Sequence, residues 1–199
     1  MNPRRVVIAT GNRHKLGEIR AFLDGIPWIV TGLGDHAEVD APEEDGDTFA
    51  SNAFLKARYY SKHLGLPCVA DDSGIAVDAL NGAPGVLSAR YAGPGCTDDE
   101  NNAKLLAALA HVPEEGRGAR FVCCAVYVDP HGREHLETGT VEGRIACEVR
   151  GSNGFGYDPL FIPQGHMRTF GELDPAIKAG MSHRSRAFGK VRAYLESIE

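Results

Sequence analysis

No stretch of this sequence is long and apolar enough to cross a membrane. The longest apolar run, residues 121–128, has eight residues, where a spanning helix needs about 20. Met1-Asn2-Pro3-Arg4-Arg5 leads into too few apolar residues for a signal-peptide core, so a cytoplasmic protein without a membrane partner is expected. The five cysteines, Cys68, Cys96, Cys123, Cys124 and Cys147, include no C-x-x-C pair and are odd in number. Neither a zinc site nor a disulfide framework is indicated, and buried reduced thiols are expected. An excess of basic charge is also missing. The net charge is −6, with 9 basic and 15 acidic residues in the first 100 and 12 of each in the remainder. That is not the footprint of a nucleic-acid binder. The P-loop pattern G-x-x-x-x-G-K-[ST] and the signature of a nucleophile triad are both absent. There is no internal repeat, low-complexity tract or long linker.

The composition that is present, 43% hydrophobic and 24% charged, is that of an ordinary globular protein. A length of 199 residues suits one domain, residues 1–199, of two lobes. Glycine is abundant, at 24 residues against a usual frequency of about 7%, and its clusters suggest shaped loops. Residues 6–9 and 28–30 read as strands on either side of an amphipathic helix with Leu16, Ile19, Phe22 and Leu23 on one face. Thr48 is positioned to cap a helix whose buried face is Phe49, Ala53, Ala57, Tyr60 and Leu64. Residues 67–70 form a strand ended by Asp71-Asp72-Ser73-Gly74, and Thr97 or Asp98 starts a helix through Leu109. Residues 121–128 and 134–140 suggest a hairpin. Short strands follow near 145–149 and 159–162, and a last helix starts at 182–185. This order is mixed α/β, and the hairpin argues against an all-parallel sheet.

Four clusters carry candidate chemistry. In Thr10-Gly11-Asn12-Arg13-His14-Lys15 a strand enters a glycine turn that opens a helix, whose free amides suit an anion. Lys15 lies in the first helical turn, unfavourable against the helix dipole, and is better explained by a phosphate. Alone, this is equally an ordinary β-to-α turn. Asp71 and Asp72 end a buried strand, where carboxylates need a cation or hydrogen bonds. In extended chain they face opposite ways, so one should enter a given site. The alternative is an Asx-type turn. Seven acids and no Lys or Arg occupy residues 35–47. The plain reading is a solvated loop, but Glu43 and Glu44 with the Asp pair make Mg²⁺ plausible, since that ion takes one or two carboxylates plus substrate phosphates. Gly154-Phe155-Gly156-Tyr157-Asp158 places aromatics between glycines, suited to a planar ligand or to a strand-to-strand bulge. Lys178, His183 and Arg184 lie before and at a helix start, as a base-recognising group or a solvated cap.

Taken in order, these clusters resemble the inosine/xanthosine triphosphate pyrophosphatases, which cleanse the nucleotide pool. The matching segments are Ala9 to Lys15 with Glu18, Ala70-Asp71-Asp72-Ser73-Gly74, Gly82-Ala83-Pro84-Gly85, Ser88-Ala89-Arg90-Tyr91-Ala92-Gly93, Gly151 to Pro159, and Ser182-His183-Arg184. The resemblance implies an elongated mixed α/β sheet with flanking helices, two lobes around a central nucleotide-binding cleft, a homodimer and Mg²⁺. It implies that Thr10, Gly11, Asn12, Arg13, His14 and Lys15 contact the triphosphate, with Asn52 and Lys56 on the phosphate side. Glu43 and Asp72 become metal ligands, Asp72 the proton acceptor, Lys15 a catalytic cation and Ser73 a substrate contact. Phe155, Gly156, Tyr157, Asp158, Lys178, His183 and Arg184 become the base-side pocket. The implied reaction is hydrolysis of ITP, dITP or XTP to the monophosphate and pyrophosphate. The alternatives are a pyrophosphatase of another base preference and a non-catalytic nucleotide sensor. A sensor would need the phosphate cradle without the acids.

Overall fold

The computed structural model describes residues 4–198. Met1, Asn2 and Pro3, where the leader reading begins, and Glu199 lie outside them. Strands β1 (Arg4–Ile8), β2 (Trp28–Gly32), β3 (Cys68–Val77), β4 (Gly118–Val128), β5 (Glu134–Ile145) and β6 (Phe161–Pro163) form one sheet in the order β2-β1-β3-β4-β5-β6. β1 pairs in parallel with β2 and with β3, whereas β5 and β6 are antiparallel. The sheet is therefore mixed, as the sequence order requires. Helices α1 (Arg13–Phe22), α2 (Phe49–Leu64), α3 (Asp98–Ala108), α4 (Pro175–Met181) and α5 (His183–Ser197) accompany it. Their starts follow local chemistry. Thr48 accepts from the Ser51 amide at the head of α2, and Thr97 and Glu100 exchange hydrogen bonds at the head of α3.

Two compact units divide the chain. The first comprises residues up to Asp72, Cys123–Gly139, and Arg184 onward; the second comprises Ser73–Val122 and Thr140–His183. In the first unit, period-two alternation builds two separate cores. Val6, Ile8, Val69, Cys123 and Tyr127 pack with Ile19 and Leu23 of α1 and with Phe188, Val191 and Leu195 of α5. Their sequence neighbours Val7, Ala9, Cys68, Ala70 and Cys124 pack with Ala53, Ala57 and Tyr60 of α2. The adjacent cysteines thus face opposite ways, as free thiols. In the second unit Ile75, Leu105, Leu109, Phe121, Tyr157, Phe161 and Phe170 form a third core. The buried Arg117 there serves three carbonyls, those of Leu109, Val112 and Ala146, at 2.8, 3.0 and 3.2 Å. A cation at the end of α3 opposes the negative pole of that helix.

Three local expectations are corrected. β3 does not stop at Asp71 but continues through Asp72, Ser73 and Gly74 to Val77. Gly74 is there for close approach, not for a turn. A Cβ on it would stand 2.2 Å from Ser88 Oγ and 2.7 Å from the Gly85 carbonyl oxygen. The Ser88 hydroxyl accepts the Ile75 amide at 2.9 Å and donates to Gly85 at 2.6 Å. No strand forms over 145–149, because β5 runs unbroken to Ile145. Gly143 allows this, since a Cβ there would lie 2.3 Å from the Ile162 carbonyl oxygen of β6. Helix α4 was not expected, although Asp174 caps it and Pro175 opens it in the pattern typical of helix starts.

The Gly74 contact is testable. Gly74→Ala should destabilise the protein by about 1–3 kcal/mol, the usual cost of overpacking, because one of the atoms met is backbone. Urea denaturation should show a lower midpoint at unchanged slope.

Candidate active site

The first cluster forms in the first unit, where β1 runs into α1 and where β3 carries its two aspartates. Asn12 caps α1, its side chain accepting the amides of His14 and Lys15 at 2.9 and 3.1 Å. Thr10 Oγ1 accepts the Asn12 amide at 3.2 Å. Two of the amides expected for an anion are therefore already used by the cap. The turn itself is open: Gly11, Asn12, Arg13 and His14 are exposed, Thr10 and Lys15 half-buried.

Asp71 shares a face of β3 with Val69, the face covered by α1 and α5. Asp72 shares the other with Ala70, the face covered by α2. Asp71 Oδ2 lies 3.1 Å from Lys15 Nζ and 3.4 Å from Arg184 Nε, and it accepts from the Cys123 thiol at 3.9 Å. Arg184 in turn holds Glu18 at 2.5 Å. Burial alone would raise the Asp71 carboxyl, but Lys15, Arg184 and Lys56 override it and hold the group far below the usual carboxylate range. Asp72 Oδ2 accepts from Asn52 Nδ2 at 3.2 Å, and its Oδ1 lies 3.6 Å from Lys56 Nζ. Here burial wins: Lys56, Lys15 and the Asn52 hydrogen bond offset it only in part, and the carboxyl is raised. Burial likewise works against the ammonium of Lys56, but Asp72, Asp71 and Glu44 outweigh it and hold the charge more firmly than usual. Adjacent carboxylates are thus shifted in opposite directions, one held ionised and the other raised.

The acidic loop reaches this cluster through Glu44, whose Oε2 lies 2.7 Å from Lys56 Nζ. Glu43, the expected metal ligand, is exposed, and Glu44 is half-buried. Asn52 ties the loop down: it accepts the Gly46 amide at 2.8 Å and donates to the Gly46 carbonyl at 3.2 Å. Its visible role is to hold the loop and Asp72 together. Among the described residues no three His, Cys, Asp or Glu side chains gather as a metal cage.

The second cluster lies in the second unit. Asp158 Oδ2 accepts the Phe155 amide at 2.9 Å and Lys178 Nζ at 2.6 Å. The Lys178 ammonium stands 4.7 Å from the centre of the Phe155 ring. Phe155 is half-buried, whereas Lys178 and Asp158 are buried. His183 stacks on Phe121, with ring centres 4.7 Å apart and planes 10° apart. A half-exposed ring beside a cation and a stacked imidazole suits a flat, polar, aromatic ligand.

Two members of the expected base pocket also hold other parts of the protein. Arg184 engages Asp71 and Glu18 in the first unit, because its guanidinium meets two carboxylates there. The ring of Tyr157 belongs to the second unit's core, and its hydroxyl donates to the Ser88 carbonyl at 2.8 Å. Ser73 and Gly156 are half-buried, the one on β3 and the other beside Phe155. The structure adds contacts that sequence reasoning left unassigned: Glu18 on Arg184, Phe121 under His183, and Asp98 and Asn102 of α3 on Gly156. For Glu18 the only signal was its place in the first motif. For the others no signal exists in the sequence, since nothing in it says which loop α3 will meet.

Fold and sites define a mixed α/β protein in which a lysine–carboxylate centre and a ring-and-cation centre occupy separate units. The chain belongs to the Ham1 family, whose sequence model matches residues 6–194. A dITP/XTP pyrophosphatase of Nocardia farcinica is 50% identical over 190 residues, covering 94% of this chain and 92% of that protein. A dITP/XTP pyrophosphatase of Geobacter sulfurreducens is 46% identical, with 96% of each chain covered. Among solved structures, a HAM1 protein from Coxiella burnetii superposes with a TM-score of 0.89 at 41% identity, covering 98% of this chain and 100% of the other.

The opposite environments of the two aspartates predict opposite stability effects. Asp71→Asn removes the anion shared by Lys15 and Arg184 and should cost about 3–5 kcal/mol, as for other buried pairs that lose one partner. Asp72→Asn supplies a neutral group where burial already disfavours charge. It should leave stability within about 1 kcal/mol, since an amide oxygen still accepts from Asn52. Chemical denaturation of both variants checks the difference.

Proposed function

We infer that the protein hydrolyses non-standard purine nucleoside triphosphates, ITP, dITP and XTP, to the monophosphate and pyrophosphate. The observation that carries the mechanism is Asp72, a buried carboxylate raised by burial and held between Lys56 and Asn52. The named relatives, dITP/XTP pyrophosphatases, support the substrate class.

In this reading the exposed turn Thr10 to His14 and the ammonium groups of Lys15 and Lys56 receive the phosphates. Charge neutralisation and positioning dominate phosphoryl chemistry. Asp71 fixes Lys15 from one side of β3. Asp72, on the other side, takes the proton of the attacking water, and a raised carboxyl is the better acceptor near neutral pH. The anhydride bond between α- and β-phosphates breaks, and pyrophosphate leaves with its charge offset by the lysines. Ser73, next along β3, is a further substrate contact. The activity needs no covalent intermediate.

The donor set fits Mg²⁺. Glu44 and Asp72 already share one cation, the Lys56 ammonium, and Mg²⁺ is commonly held by one or two carboxylates with substrate oxygens instead of a full protein cage. Asp72 with Glu44, or with Glu43 on the same loop, would hold it. When bound, the ion supplies charge neutralisation at the phosphates. A homodimer, supported by the resemblance, and a cytoplasmic location belong to the same proposal. No helix among the described residues is long and apolar enough to cross a membrane.

Phe155 is the stacking platform for the purine, and Lys178 and His183 with nearby backbone amides are the polar readers. The 6-keto oxygen of hypoxanthine and xanthine accepts hydrogen bonds, whereas adenine presents an amine there. Donors left unpaired by the wrong base can discriminate by about 10⁴–10⁵.

With ITP as substrate, inosine monophosphate and pyrophosphate should appear as initial products. Exhaustive chelation should abolish turnover, and Mg²⁺ should restore it. Asp72→Asn should lower kcat by about 10²–10⁴-fold with the fold intact by circular dichroism. Orthophosphate as first product, or full activity after chelation, would count against the mechanism. The base reading predicts kcat/KM for ITP, dITP and XTP above that for ATP and GTP by at least about 10²-fold, some 2.7 kcal/mol. Equal values for ITP and ATP would favour a general triphosphate pyrophosphatase.

A further inference from the structure

Phe155 sits between Gly154 and Gly156, both in left-handed backbone, with φ of 77° and 62°. Two glycines flanking one aromatic make an intrinsically loose loop, since glycine loses more freedom on ordering than any other residue. The side before Phe155 is fixed by Asp158, which accepts the Phe155 amide. The side after it is fixed from another element. Asp98 Oδ2 accepts the Gly156 amide at 2.7 Å, and Asn102 Nδ2 donates to the Gly156 carbonyl at 2.9 Å. Asp98 and Asn102 are four residues apart on α3 and so share a face. They grip both the amide and the carbonyl of a single residue. Asn102 is 2% exposed, and its amide is oriented by the carbonyl it meets: turned over, its oxygen would face the Gly156 oxygen.

We propose that Asp98 and Asn102 are positioning residues that set affinity for the purine by holding the Phe155 loop in its binding conformation from α3. The proposal rests on the reading of Phe155 as the purine platform. Neither residue needs to touch substrate. If the loop is released, only a fraction of molecules present the ring correctly, and apparent affinity falls by that fraction. Such a loss acts on ground state and transition state alike, so it moves KM and leaves kcat.

The test uses the full-length enzyme and four variants: Asp98→Ala, Asp98→Asn, Asn102→Ala and Asn102→Asp. Asp98→Ala and Asn102→Asp should raise KM for ITP about tenfold, the worth of one hydrogen bond at the upper end of its range, with kcat within about twofold. Asn102→Ala, which removes the donor without adding a charge, should follow them. Asp98→Asn keeps an acceptor oxygen for the Gly156 amide and should restore most of the loss. Inhibition by inorganic tripolyphosphate, which has no base, should be unchanged throughout. A merely structural defect would shift the tripolyphosphate constant and kcat together with KM, and Asp98→Asn would not rescue it. Either that pattern or an unchanged KM overturns the proposal. Hydrogen exchange gives a readout that needs no turnover. The Phe155 and Gly156 amides should exchange about tenfold faster in Asp98→Ala, and unchanged exchange there overturns the clamp. A parent enzyme that hydrolyses no ITP strikes the functional reading instead, while the exchange result still decides the clamp.

Discussion

β3 carries two carboxylates side by side, and an extended chain must send consecutive side chains to opposite faces. Much of the first unit follows from that constraint. The face with Val69 and Asp71 is roofed by α1 and α5, which bring Lys15, Glu18 and Arg184. The face with Ala70 and Asp72 is roofed by α2, which brings Asn52 and Lys56. Each aspartate therefore meets a different helix surface and acquires a different proton affinity. Asp71 is outvoted by cations and held low, whereas Asp72 is governed by burial and raised. One residue type repeated once in sequence meets two opposite electrostatic environments.

The same device recurs in the second unit on a smaller scale. The Asp158 carboxylate gathers a backbone amide and the Lys178 ammonium, and so sets the Phe155 ring and the cation above it in one stroke. In both clusters a buried anion fixes the groups around it. Buried charges of this kind add little net stability, since desolvation cancels most of the attraction. What they provide is fixed geometry, which is what stabilisation of developing charge requires.

Glycine in this chain serves closeness as well as turning. Gly74 and Gly143 sit inside strands, where a methyl group would collide with Ser88 and with the Ile162 carbonyl. From sequence, Ser73-Gly74 suggests a turn, because glycine in a strand and glycine in a turn have the same letter. Only the approach of Ser88 and Gly85, some twelve residues onward, reveals which it is. Gly154 and Gly156 are the opposite case: there the positive φ is real, and the loop needs holding from outside.

The sequence by itself determined the elements that depend on neighbours in the chain. The α2 and α3 starts were legible in Thr48 and Thr97, because caps act over three residues. That the sheet is not all-parallel was legible from the hairpin of residues 121–140, and the divergence of Asp71 from Asp72 and of Cys123 from Cys124 from period-two geometry alone. The family motifs named the residues of both clusters. Tertiary structure decided what those residues touch. It paired Arg184 with Asp71 and Glu18, bonded the Tyr157 hydroxyl to Ser88, drew Glu44 to Lys56, and brought α3 onto Gly156. These pairings join positions from 12 to 166 residues apart. Their energies depend on burial and on distances of a few ångströms, and neither quantity is carried by local sequence.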